Sequence, residues 1–110
     1  MSVDGIWQIE MLGAYGWENV SVAFLEDGNY KAASENHYST GNYDISGNKI
    51  KISAQHVTHG RARTLFGAKN KKINLNFEGE LEGDRVKGQT TDDKGKFFIT
   101  FRATRLADLP

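Results

Sequence analysis

Three histidines, three closely spaced glutamates and one run of basic residues are the parts of this 110-residue chain that could do chemistry. His56 and His59 lie near each other and His37 lies apart, and because neutral imidazoles are common metal ligands the trio invites a metal reading. The spacing argues against it. On a strand, residues three apart point to opposite faces, and no Asp, Glu or Cys between Val57 and Lys72 completes a ligand set. No metal or other cofactor is expected, and His56, in phase with Ile50 and Ile52, reads as a hydrogen-bonded histidine of a core or its rim. Glu78, Glu80 and Glu82 alternate onto the face opposite Phe77 and form a solvated stripe. A glycosidase-type pair needs two carboxyls converging across a cleft, and no acid occupies an inward phase in the strands identified below. Ser34, Ser39, Ser46 and Ser53 have no adjacent base, and the chain holds no phosphate-binding glycine loop, no Gly-x-Ser-x-Gly elbow and no zinc-protease motif. A non-enzymatic role is therefore expected.

The basic run stretches from Gly60 to Lys72, with Arg61, Arg63, Lys69, Lys71 and Lys72 and no acid. It reads either as a solvated loop or strand edge, or as a rim where His59, Arg61 and Arg63 donate to an anionic group while Leu65 and Phe66 cover an opening. In the chain as a whole 14 basic residues balance 14 acidic ones, so the positive field on which non-specific nucleic-acid binding relies is missing and no direct nucleic-acid contact is expected. Hydrophobic residues at 38% and charged ones at 25% suit a soluble globular chain. No apolar run approaches the ~18 residues of a membrane span, and Met1-Ser2-Val3-Asp4-Gly5 has neither a basic stretch nor an apolar signal region, which points to a cytoplasmic protein. The absence of cysteine removes disulfides and thiolate chemistry. The length fits one domain, residues 1–110.

What positions these residues is a succession of short strands. Trp7, Ile9 and Met11 alternate with Gln8 and Glu10, the period of a half-buried strand. Val20, Val22 and Phe24 supply the next buried face, and Glu26-Asp27-Gly28-Asn29 turns the chain toward Tyr30 and Ala32. Gly41, Tyr43 and Ile45 mark a fourth strand; Ser46-Gly47-Asn48-Lys49 turns it into Ile50, Ile52, Ala54 and His56. After a longer connection, 57–72, with a helical turn expected near Thr64 to Ala68, come Ile73, Leu75, Phe77 and Leu81. Glu82-Gly83-Asp84-Arg85 then reverses into Val86, Gly88 and Thr90, and Asp92-Asp93-Lys94-Gly95 leads into Phe97, Ile99 and Phe101.

About eight strands joined mostly by short turns, each with one apolar face, must fold over themselves to bury that face, so an all-β, single closed antiparallel meander barrel is expected, with a two-sheet sandwich as the structural alternative. Its predicted interior is Trp7, Ile9, Val22, Tyr43, Ile52, Leu75, Phe77, Ile99 and Phe101, with Gln8, Lys51, Asn76 and Thr100 facing out. The inward aromatics either fill a core or line a cavity for a small ligand.

Gly5-Ile6-Trp7 resembles the Gly-x-Trp signature of the calycins, the superfamily of lipocalins, fatty-acid-binding proteins and avidins. Taken with Leu25-Glu26-Asp27-Gly28, Gly41-Asn42-Tyr43, Gly79-Glu80-Leu81-Glu82-Gly83-Asp84, Val86-Lys87-Gly88 and Phe101-Arg102-Ala103-Thr104-Arg105, in that order, the chain resembles the GrlR family over nearly its whole length. These are small bacterial barrels named for a negative regulator of type III secretion. The resemblance implies an eight-stranded calycin-like barrel that dimerises and, in the namesake, represses transcription indirectly by sequestering an activator protein. The namesake's contact is an acidic Glu-Asp-Glu-Asp turn; by turn order its counterpart here is Ser46-Gly47-Asn48-Lys49, which has no acid, so the fold carries over and that partner does not.

Two functional expectations result. One is a protein-interaction or regulatory module that forms a homodimer through outward apolar residues, with Trp17, Leu25 and Phe98 as interface. The other is a carrier or sensor of a small apolar or amphipathic ligand, bound through Trp7, Tyr43, His56, His59, Arg61, Arg63, Phe77 and Phe101.

Overall fold

The computed structural model describes residues 3–13, 16–59, 72–95 and 98–110, with Asn19 and Phe98 as backbone. The strands are β1 (Gly5–Gly13), β2 (Gly16–Glu26), β3 (Asn29–Ala33), β4 (His37–Ser46), β5 (Lys49–Thr58), β6 (Lys72–Glu82), β7 (Arg85–Asp92) and β8 (Phe98–Ala107). Each pairs antiparallel with its successor, and β8 pairs back onto β1, so the meander closes into an eight-stranded barrel with no free edge. The tight turns fall where the sequence places them, at 27–28, 47–48 and 83–84. β5 and β6 run further than the sequence suggests, which shortens the connection between them to 59–71. The helical turn expected near Thr64 to Ala68 lies outside the described residues, as does Phe97. Among the described residues no helix is long and apolar enough to cross a membrane.

Alternation sets the faces of most strands as expected: Trp7, Ile9, Tyr43, Ile52, Leu75, Phe77 and Phe101 are buried, and Ile99 packs against them. Lys51 and Thr100 are exposed, while Gln8 and Asn76 are half-buried. β2 is the exception. Ser21, Ala23 and Leu25 face the interior, and Val20, Val22 and Phe24, expected inside, lie on the outer surface about four-tenths exposed. The physical reason is the β2–β3 turn. Asp27 and Gly28 both have positive φ, 50° and 82°, as a two-residue type I′ hairpin turn demands. That turn sets Leu25 opposite Tyr30 and Phe24 opposite Lys31, and directly opposed residues share a face. Turning Phe24 inward would bury the Lys31 ammonium and expel Tyr30.

The core is closed on the opposite wall by a close approach of backbones. Gly79 of β6 faces Gly88 of β7, and Gly88 faces Phe101 of β8. A methyl on Gly88 would sit 1.9 Å from the Glu78 carbonyl oxygen, and one on Gly79 would meet Phe101 Cζ at 3.1 Å. The bare backbone thus makes room for the Phe101 ring, which meets Phe77 edge to face with centroids 5.2 Å apart.

Gly88→Ala is expected to destabilise the barrel by roughly 3 kcal/mol or more, since the obstacle is backbone and cannot rotate away. Gly47→Ala, at a turn with open space around it and φ 62°, should cost only about 1–2 kcal/mol of left-handed strain. Urea unfolding of the two variants side by side measures the difference, and equal losses would contradict the close-approach account.

Candidate functional site

Among the described residues the apolar interior is filled. Trp7, Ile9, Ala23, Leu25, Ile50, Ile52, Val86, Phe101 and Ala103 surround a void of about 10 Å³, about the space one water occupies. Of the residues expected to bind a ligand, Trp7, Phe77 and Phe101 are packed core. Tyr43 has a different task. Its hydroxyl donates to Asp4 Oδ1 at 2.5 Å, and burial, reinforced by that hydrogen bond and the charges of Asp4 and Asp27, pushes it up to about 12. It stays protonated and ties the segment before β1 across one end of the barrel. Trp7 Nε1 donates to the Val3 carbonyl at 2.9 Å, and Arg105 Nη2 donates to the Asp4 carbonyl at 2.9 Å and to Asp108 Oδ1 at 2.6 Å, so the same end is latched from β8 as well. Outside this tie a shallow groove of about 600 Å³ runs past Ile45, Leu81 and the two turns at 47–48 and 83–84.

The other end is polar inside. Ser21, His37, Ser39, His56, Thr58 and Thr90 are buried, all in the half of the barrel toward the 34–36 connection and the end of β5. His37 and His56 lie ring against ring, centroids 4.7 Å apart, and each Nδ1 is hydrogen-bonded to a serine hydroxyl, Ser34 at 2.8 Å and Ser39 at 2.9 Å. Burial, then the neighbouring His37, pushes His56 down to about 4. Burial and then His59 lower His37. Both rings are neutral at pH 7. His59 is exposed, with its ring 6.2 Å from that of Tyr38, and no group of three or more His, Cys, Asp or Glu among the described residues is arranged to hold a metal ion. Arg61 and Arg63, with Leu65 and Phe66, lie outside the described residues.

The outer wall is divided. Around one side the paired positions read Lys49, Glu80, Lys87, Arg102, Glu10, a row of alternating charge in which Arg102 binds Glu10 through Nε at 3.0 Å and Nη2 at 3.3 Å. Around the other side the rows are apolar. Ile6 pairs with Phe24, and a second row runs Val22, Ala33, Tyr38, Val57 across β2 to β5. Val20 extends the stripe along β2. Val20, Val22, Phe24 and Tyr38 are all more than 40% exposed. Two charges are tied into these rows by pairing, Lys31 opposite Phe24 and Lys72 opposite Val57. Contiguous exposed apolar surface, unlike scattered single residues, marks a place where another molecule binds.

Of the three residues expected at an interface, Leu25 and Trp17 do not stand free on this face. Leu25 points into the core at 4% exposure, because the I′ turn puts it opposite Tyr30. Trp17 is half-buried under the Arg102 guanidinium, 4.0 Å above its ring, a cation–π contact that covers the indole. The side chain of Phe98 lies outside the described residues. The true surface residues Val20, Val22 and Phe24 were assigned to the core by the inverted register, and the length of the turn at 27–28, read together with an inward Tyr30, is the signal that locates them.

Tyr43→Phe is expected to lower stability by about 1.5 kcal/mol, the worth of a hydrogen bond to a charged group, as read by urea unfolding. A loss below about 0.3 kcal/mol would show that the Asp4 tie contributes nothing. No protein-family model and no curated protein matches the chain, so the geometry of the barrel alone carries the functional reading.

Proposed function

We propose that this barrel is a GrlR-like, calycin-type interaction module that performs no chemistry of its own, pairs with a second copy of itself and regulates by binding another protein in the cytoplasm. One observation carries the reading: a contiguous apolar face on β1 to β5 stands outside a barrel whose interior is already filled. A carrier needs empty volume inside, and the void among Trp7, Ile52 and Phe101 has room for no organic ligand. A closed barrel also has no strand edge to offer, so association has to run through side chains. An isologous pairing suits this face, because its exposed apolar residues Val20, Val22 and Phe24 can meet the same residues of a second copy across a two-fold axis. The Ser46-Gly47-Asn48-Lys49 turn lacks acid, so the regulated protein differs from the partner of the family's namesake.

Light scattering during size-exclusion chromatography is expected to show a dimer at high micromolar concentration. The double variant Val22→Asp, Phe24→Asp should elute as a monomer with an unchanged far-UV spectrum, a loss of roughly 2 kcal/mol or more of association energy for residues at the centre of an interface. A wild-type protein that is monomeric throughout that range would overturn the self-pairing.

A further inference from the structure

The buried histidine pair plays no part in the outer face, and its setting is unusual. His37 of β4 and His56 of β5 are 8% and 3% exposed, and two serine hydroxyls are their only hydrogen-bond partners among the described residues. Neither ring forms an ion pair there. Among the described residues, the charged groups on the elements around this end stand outside the barrel. Glu35 in the 34–36 connection, Lys31 of β3 and Lys72 of β6 are exposed, and His59 at the end of β5 is itself basic. Facing inward at the same end, Met11, Ser21, Leu75 and Thr90 carry no charge. A proton taken up by either ring therefore meets a poorly solvated site with another imidazole stacked on it.

What these rings hold together is small. Ser34 N–H donates to the His37 carbonyl at 2.9 Å, and His59 N–H donates to the Asn36 carbonyl at 2.8 Å. His37 is paired with Thr58, and Ser39 with His56. Further along β4 and β5, the inward side chains of Tyr43 and Ala54 already belong to the apolar core. We propose that the His37–His56 stack is an acid-operated latch: charging it separates residues 34–39 from 56–59 and opens that end of the barrel, while the apolar half stays closed. Opening a terminal unit is cheaper than unfolding the whole, because it exposes few apolar contacts.

The sign follows from linkage. Both groups are more basic in the open form, where a histidine has its ordinary value near 6.5, than in the closed form, where His56 lies at about 4. The open form binds more protons, so closure is fully favoured above about pH 6.5 and is lost as the pH falls toward 4. The latch is tested on the wild-type protein by NMR, following the two imidazole Cε1–H resonances and the amide protection factors, corrected for intrinsic exchange, between pH 7.5 and 4. The expected result is at least a tenfold drop in protection confined to residues 34–39 and 56–59, with the midpoint of the histidine titrations. His56→Gln, which keeps a neutral hydrogen-bonding side chain, should flatten that drop. If the variant does not fold, the wild-type titration decides alone. Uniform loss across all strands, unchanged protection at residues 34–39, or both histidines titrating near 6.5 would overturn the proposal.

Discussion

The pairing of Leu25 with Tyr30 across the Asp27–Gly28 turn decides more of this molecule than any other contact. Residues alternate between faces wherever the ladder is regular, so one fixed pair assigns its neighbours on β2 and β3 to a face as far as the irregularity that follows the Ile9–Ser21 pair. With Tyr30 inside, Ala32, Ala23 and Ser21 must line the interior too. Their small volumes are what allow Trp7, Phe77, Phe101 and Tyr30 to share one barrel. The same constraint puts Val20, Val22 and Phe24 in water. The packed core and the apolar outer face thus have one cause.

The division of the outer wall has its own logic. Alternating Lys, Glu and Arg across β5 to β8 and β1 satisfies neighbours in pairs, as Lys51 with Glu78 at 4.0 Å and Arg102 with Glu10 at 3.0 Å illustrate. Exposed pairs of this kind contribute little stability. Their effect is on solubility and orientation, since a surface with both signs interspersed resists association. Arg102 shows how sharply the two regions meet: its guanidinium lies over Trp17 and binds Glu10, which removes an indole from the apolar face.

Much of the fold was legible in the residues, and the misses have physical explanations. β1, β5 and β6 could be read because large apolar side chains on one face alternate with charged or amide ones on the other, as Ile50 and Ile52 do with Lys51. On β2 both faces are apolar, Val20, Val22 and Phe24 against Ala23 and Leu25, so period alone favours the bulkier set, and the bulkier set is wrong. Only the turn geometry carries the correct answer. Of the polar half of the interior, His56 could be read as a buried, hydrogen-bonded histidine, as it is, and the rest was missed for a related reason. His37 and Ser39 share the phase of Tyr43 on β4, and Thr58 that of His56 on β5, but a pattern read through hydrophobic residues passes over inward polar ones. The candidate site inherits both errors, which is why Leu25 was placed outside and the stripe on β2 inside.

The seam between β1 and β8 differs from the other seven in one respect. Each of those joins consecutive strands, whereas this one brings together residues as far apart as Glu10 and Arg102, 92 positions along the chain. Local hairpins lose little loop entropy when they form, and nearly all of the remaining loss is concentrated in this single closure. With that one seam unmade, the same strand order is a curled sheet with an open slit between β1 and β8. Such a sheet still presents unpaired backbone on both edges, and the rate at which the slit seals sets how long a nascent chain can be captured by another strand.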